Sequence, residues 1–239
     1  HAIRFKVPDG QTIWKDLVHG EMKFENADVE DLVILRSDGS PTYNFAVTSD
    51  DASQRITHVI RGDDHLSNTA KQILIYNAMG WEEPVFAHVP MILGPEGRRL
   101  SKRHGATSIQ DYREDGILAD ALINFLALLG WSPGGDREFM NTDELIDNFS
   151  LERVLKKSSV FDIKKLEWLS GKHFDTVSTE KLALLLSPRL EANGITNKDI
   201  LDSNREWYHK LIDLLKTRAR TMRDLVQLSE PFFKESIDY

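Results

Sequence analysis

Three short segments carry residues whose types and spacing could do chemistry. The first is the basic run Arg98-Arg99-Leu100-Ser101-Lys102-Arg103-His104, which follows the glycine-flanked stretch Gly94-Pro95-Glu96-Gly97. Ammonium and guanidinium groups on such a loop suit a triphosphate, and they matter most when pyrophosphate leaves. Lysine serves there as a point charge and arginine as a fork. Taken alone, a basic loop reads more often as a solvated surface. The second segment is Arg61-Gly62-Asp63-Asp64-His65. It reads either as a surface charge cluster with an acidic helix cap, or as an arginine for a ligand carboxylate, with acids near a ribose or an amine. The third is Pro41-Thr42-Tyr43-Asn44-Phe45-Ala46, where the plainer reading is a strand that buries Tyr43. His65, His88 and His104 lack metal-ligand spacing, and neither H-E-x-x-H nor G-x-S-x-G occurs, so no metal site and no serine triad is expected.

The elements that must position these residues follow from pattern. Leu32–Arg36 is an apolar run stopped by Ser37-Asp38-Gly39-Ser40-Pro41, a dense turn signal. Thr42–Val47 resumes as a strand, and Arg55–Ile60 alternates into another. A helix follows, capped by Ser67 or Asn68 and closed by Gly80. Val85–Leu93 then reads as a strand, with Pro90 marking an irregular position. Strand, helix, strand over 55–93 predicts a parallel βαβ unit, whose ligands sit beyond the carboxyl ends of strands. Arg61–His65 and Gly94–His104 both occupy such ends and are expected near each other. The second half is helical: Ile117–Leu129 is apolar all round and expected to be buried. Shorter helices are predicted at Thr142–Asn148, Leu151–Leu155 and Ile163–Leu169, one capped by Ser178, and two more over Asn204–Leu215 and Thr221–Leu228.

The bulk composition sets limits. The 239 residues are 41% hydrophobic and 28% charged, enough for one large or two smaller globular domains. No apolar run approaches the roughly 18 residues of a membrane helix, so no membrane partner is expected. Cysteine is absent, which excludes disulfides and thiolate zinc sites in this chain and fits a reducing cytoplasm. His1–Val7 already alternates like a strand, which predicts sequence upstream. The net charge of −8 argues mildly against nucleic-acid binding, but binding is local, and Lys216–Arg223 holds four basic residues in eight.

In order and spacing, residues 41–46 (PTYNFA), 59–69 (VIRGDDHLSNT), 99–105 (RLSKRHG), 124–132 (NFLALLGWS) and 160–173 (VFDIKKLEWLSGKH) closely resemble bacterial glutamyl-tRNA synthetases. The resemblance implies an α/β fold: part of a Rossmann-type class I catalytic core with a parallel sheet, followed by all-α regions. Residues 1–40 would end an inserted acceptor-binding domain, and 41–105 would form the second half of the catalytic domain. Residues 106–177 would form a helical stem-contact domain, and 178–239 would begin a helical anticodon-binding domain.

The resemblance also implies roles. The family's K-M-S-K-S signature takes an R-L-S-K-R form here. Lys102 matches the lysine that stabilises pyrophosphate as glutamate attacks the α-phosphate, and Arg99 replaces the first lysine. Arg99, Leu100, Ser101, Lys102 and Arg103, with Asp64 and the Ile92 backbone, are implied to contact ATP. Tyr43 and Arg61 are implied to line the glutamate pocket, and Arg218 to meet the anticodon, although Lys216-Thr217-Arg218 reads more plainly as an ordinary solvated helix face. The implied partners are L-glutamate, ATP with Mg2+ and tRNA-Glu, and the implied state is a monomer; the alternatives are a glutaminyl-tRNA synthetase, a paralogue that glutamylates a modified tRNA base, and a non-catalytic tRNA-binding fragment. The family's H-I-G-H signature does not occur in these 239 residues; His19-Gly20 is not followed by His.

Overall fold

The computed structural model describes residues 1–100 and 108–234. The chain divides into two compact units. The first comprises residues 1–92 with 130–132 and 150–159. The second comprises 93–129, 133–149 and the chain from 160 onward.

The first unit is built on strands. β1 (Ile3–Phe5) pairs antiparallel with β4 (Leu32–Leu35). A hairpin of β2 (Gln11–Asp16) and β3 (Gly20–Glu25) joins β5 (His58–Gly62) and β6 (Val85–Val89) in a sheet of order β3-β2-β6-β5. β6 runs parallel to both β2 and β5. Between β5 and β6 the chain forms α2 (Leu66–Met79), so the expected strand–helix–strand unit is present. Trp14, Ala70, Ile73, Tyr76 and Phe86 form the core between this helix and the sheet. Alternation along β2, with Thr12, Trp14 and Asp16 inward, sets which face is covered.

Several expectations change. Thr42–Val47 is not a strand: Tyr43–Gln54 is helix α1. Apolar alternation over so few residues does not separate strand from helix. What decides is the polar, weakly β-forming tail Thr48–Gln54 and the anchoring of Thr42, whose amide donates to Ile34 O (2.9 Å) and whose hydroxyl donates to Val33 O (2.6 Å). The following strand starts at His58 rather than Arg55, because Arg55 is the left-handed C-cap of α1 (φ 55°). Neither Ser67 nor Asn68 caps α2. A turn of 3-10 helix over Asp63–His65 leads directly into it, and Gly80 (φ 66°) closes it as expected. Pro90 divides the last run into β6 and β7 (Ile92–Leu93).

The second unit is helical. α3 (Ile109–Asp115), α4 (Ala119–Leu128), α5 (Thr142–Asn148), α6 (Ile163–Thr176) and α7 (Thr179–Ala192) are followed by α8 (Lys198–Ser203), α9 (Arg205–Lys216) and α10 (Met222–Ser229). Ser178 caps α7 by accepting from the Lys181 amide, as expected. Thr221 and Asp224 form a capping box on α10. Leu151–Arg153 is a single 3-10 turn. α4 is not buried all round: Ala121, Leu122 and Phe125 face inward, while Ile123 is 46% exposed. One core gathers Phe174, Leu182, Leu186, Leu190, Ile212 and Leu225; another gathers Tyr112, Leu122, Phe125, Leu166 and Leu169. No described helix is long and apolar enough to cross a membrane.

Two predictions follow from this packing. Gly116 closes α3 at φ 83°, and a Cβ there would lie 2.6 Å from Met222 Cβ and 2.8 Å from the Met222 amide nitrogen. Gly116→Ala is expected to cost about 1–3 kcal/mol in urea denaturation; an unchanged midpoint would show that the α3–α10 contact yields freely. Burial holds the imidazoles of His88 and His173 below their ordinary 6.5. The unfolded chain then takes up protons first, so stability should fall as pH drops below 6.5, by up to about 1.4 kcal/mol per pH unit for each histidine. A denaturation midpoint that is flat or rises between neutral pH and pH 5.5 would contradict this.

Candidate functional site

Arg61 stands on β5 directly opposite His88 of β6. Its guanidinium is half-buried, over the ring of Phe86 at 5.8 Å from the centroid. α2 crosses this face and presents Thr69 and Gln72, three residues apart and so on one side of the helix. Arg61 Nη2 donates to Thr69 Oγ1 (2.7 Å) and to Gln72 Oε1 (2.9 Å), and Arg61 Nε donates to His88 Nε2 (3.3 Å). Gln72 is itself fixed, because its amide donates to Asn44 Oδ1 of α1 (3.1 Å). Thr69, Gln72 and His88 are all buried.

Behind His88 lies Asp16, at the end of β2 and 1% exposed. Its Oδ2 meets His88 Nδ1 at 2.5 Å. Its Oδ1 accepts from the amides of Val18 (2.9 Å), His19 (3.0 Å) and His88 (3.2 Å). Burial pushes this carboxyl upward, but these donors outweigh it and hold it below the ordinary value. Burial lowers the His88 imidazole despite the carboxylate beside it. The pair is therefore an ionised Asp16 with a neutral His88. Burial also lowers Arg61, while Tyr43 and Asp51 draw it back up. Among the described residues, Thr69, Gln72 and His88, which accept from the guanidinium, are neutral groups. A cation so placed retains its charge for an anionic ligand.

The sequence-derived residues distribute as follows. Tyr43 opens α1, 53% exposed, with its ring 6.0 Å from that of His65, so it is not a core residue. Asp64 is exposed, and its Oδ1 lies 2.6 Å from where a Gly62 side chain would begin; the glycine lets the carboxylate fold back over the end of β5. Tyr43, Arg61 and Asp64 thus belong to one unit. Ile92 is half-buried in β7.

In the second unit, Gly94 donates to Arg98 O (2.7 Å), Gly97 donates to Gly94 O (2.9 Å), and Leu93 bridges Arg99. Gly97 takes φ 72°, which the tight turn requires. Arg98 and Arg99 are exposed on this turn and Leu100 is half-buried. Ser101, Lys102 and Arg103 lie outside the described residues. Arg218 is exposed in the turn after α9 and lines a hollow of about 400 Å³ with Trp168, Lys172 and Arg220.

Sequence reading missed Asp16, Thr69, Gln72 and His88. The signal for three of them was present: a histidine inside the apolar strand Val85–Val89, and a Thr/Gln pair at helical spacing facing a core.

Residues 1–168 match the model of the family described as tRNA synthetases class I (E and Q), catalytic domain. A glutamate–tRNA ligase of Thermodesulfovibrio yellowstonii is 50% identical over 239 residues, 99% of this chain and 51% of that protein. One of Moorella thermoacetica is 43% identical over 239 residues, the whole of this chain and 49% of that protein. The chain spans about half the length of the curated relatives it matches. The crystal structure of a glutamate tRNA ligase of Elizabethkingia meningosepticum, in complex with its amino acid, superposes with a TM-score of 0.86 at 36% identity, over 99% of this chain and 50% of that one. The chain belongs to the class I tRNA synthetases of the E and Q family, to whose catalytic-domain model more than half of its length corresponds.

Proposed function

We propose that the protein is part of a glutamate–tRNA ligase, which uses ATP, carrying Mg2+ as its counter-ion, to activate L-glutamate and passes the glutamyl group to the 3′ end of tRNA-Glu. The observation that carries this reading is Arg61, a half-buried guanidinium whose partners among the described residues are neutral. A glutamate carboxylate can take a forked pair of hydrogen bonds from it. A neutral glutamine amide in its place would leave the cation uncompensated, which is a physical basis for selecting glutamate. The relatives of Thermodesulfovibrio and Moorella, both named glutamate–tRNA ligase, support the reading.

Within it, Tyr43 completes the amino-acid pocket, while Asp64 and the Ile92 backbone meet ATP. Arg99, Leu100, Ser101, Lys102 and Arg103 attend the phosphates, with Lys102 neutralising the charge that develops on departing pyrophosphate. Residues 1–40 close an acceptor-binding insertion, 41–105 the second half of the catalytic domain, 106–177 a stem-contact domain, and 178–239 open an anticodon-binding domain in which Arg218 faces RNA. The enzyme acts as a monomer in the cytoplasm. Most of its rate enhancement comes from positioning and electrostatics rather than covalent catalysis.

Two substitutions in the complete protein test this. Lys102→Ala should lower ATP–pyrophosphate exchange by roughly 10²–10³ while leaving the circular dichroism spectrum intact; exchange at the wild-type rate would remove Lys102 from the mechanism. Arg61→Ala should raise the KM for glutamate by about 10–100-fold, the loss of one charge-assisted contact. Unaltered KM and kcat for glutamate would place the amino acid elsewhere.

A further inference from the structure

We infer that Asp16 and His88 are positioning residues for the glutamate site: Asp16 fixes the tautomer of His88, and His88 then fixes the guanidinium plane of Arg61. This rests on the proposed function for the identity of the ligand, but the tautomer argument stands on hydrogen-bond chemistry alone.

An ionised carboxylate can only accept. Asp16 Oδ1 is taken up by three backbone amides, so Oδ2 is the oxygen that serves His88. His88 Nδ1, 2.5 Å from Oδ2, must therefore carry the imidazole proton. In the neutral ring Nε2 is then a bare acceptor. That is the atom facing Arg61 Nε at 3.3 Å and Thr69 Oγ1 at 2.9 Å. Arg61 Nε–H can only donate, so the opposite tautomer would set N–H against N–H. Seventy-two residues separate Asp16 from His88, and the link between them governs a third strand.

The remaining acceptors are set in the same way. Thr69 Oγ1 receives Arg61 Nη2 and directs its own proton to His88 Nε2, or to the His65 carbonyl at 3.3 Å. Gln72 offers its oxygen to Arg61 because its nitrogen is engaged by Asn44. The guanidinium is thus oriented through Nε and Nη2 by contacts that carry no negative charge. Asp16, the charge closest to His88, is used one step back, where it orients without neutralising. A carboxylate placed directly on Arg61 would orient it equally well but would compete with the ligand.

The experiment has a spectroscopic and a kinetic arm. Nitrogen-15 NMR of the wild-type protein should show His88 protonated at Nδ1, with Nε2 bare. Protonation at Nε2 overturns the inference, and this arm needs no variant to fold. In the complete protein, Asp16→Asn removes the acceptor that holds the tautomer. It should raise the KM for glutamate about tenfold with the KM for ATP changed by less than roughly twofold, because only one contact is misdirected. The double variant Asp16→Asn, His88→Gln restores an acceptor to Arg61 Nε and should recover most of that loss. A merely structural role for the pair predicts no recovery and equal effects on both substrates. A wild-type KM for glutamate in Asp16→Asn, or a double variant no better than the single one, overturns the inference. If the complete wild-type protein does not consume glutamate at all, the proposed reaction falls, and with it the ligand named here; the NMR result still decides the tautomer relay.

Discussion

A guanidinium cannot lose its protons at any pH a protein tolerates, so taking one half out of water commits the surrounding fold to compensate it. Arg61 imposes that constraint on the first unit. The compensation comes from four elements that the sheet and its core already bring together. β6 supplies a histidine, α2 a hydroxyl and an amide oxygen, α1 the asparagine that orients the amide, and β2 the aspartate that orients the histidine. The parallel register that places Arg61 against His88 is therefore more than sheet geometry. A one-residue slip of β5 against β6 would turn Arg61 to the opposite face of the sheet, away from Phe86 and from the Thr69 and Gln72 acceptors of α2.

The helical unit solves a related problem with the opposite tautomer. Asn124 is fully buried on α4; its nitrogen donates to Glu138 O (3.0 Å) and its oxygen accepts from the Met140 amide (3.0 Å). His173 of α6 therefore meets an acceptor at Asn124 Oδ1 (3.1 Å) and must present a proton on Nε2. Its ring packs against Phe139 at 4.7 Å between centroids. This network ties α4 and α6 to the segment before α5 but leaves no cation half exposed. It closes on itself as structure. The network around Arg61 ends instead on a half-buried cation.

What could be read from sequence follows the range of the forces involved. Gly80 as a C-cap, Ser178 as an N-cap and the strand–helix–strand order over 55–93 depend on neighbours a few residues away, and these were legible. The βαβ reading also located Arg61 at a strand end. Tyr43–Gln54 was misread because its first residues alternate like a strand, while its identity is settled by docking on β4 and α2. The hairpin Gln11–Glu25 passed unnoticed, since its turn residues lack an Asn-Gly type signal. Asp16 was not legible at all. An aspartate in a strand looks like an outward-facing polar residue until a histidine 72 residues on is known to lie against it.

Arg61-Gly62-Asp63-Asp64 shows how finely such a segment is constrained. Within four residues the chain passes from a cation held by buried partners to an exposed carboxylate, and the residue between must have no side chain for that carboxylate to fold back. Arginine suits the position because its planar fork donates from two separate nitrogens, Nε to His88 and Nη2 to Thr69 and Gln72, where lysine has a single nitrogen. Asp63 and Asp64 are tolerated because they stand at the start of α2, where the helix dipole favours negative charge. The same reasoning explains why a net charge of −8 says little about the partner. An anion approaching Arg61 meets a guanidinium whose nearest neighbours are neutral, and the field a few ångströms away, rather than the sum over the chain, decides whether it binds.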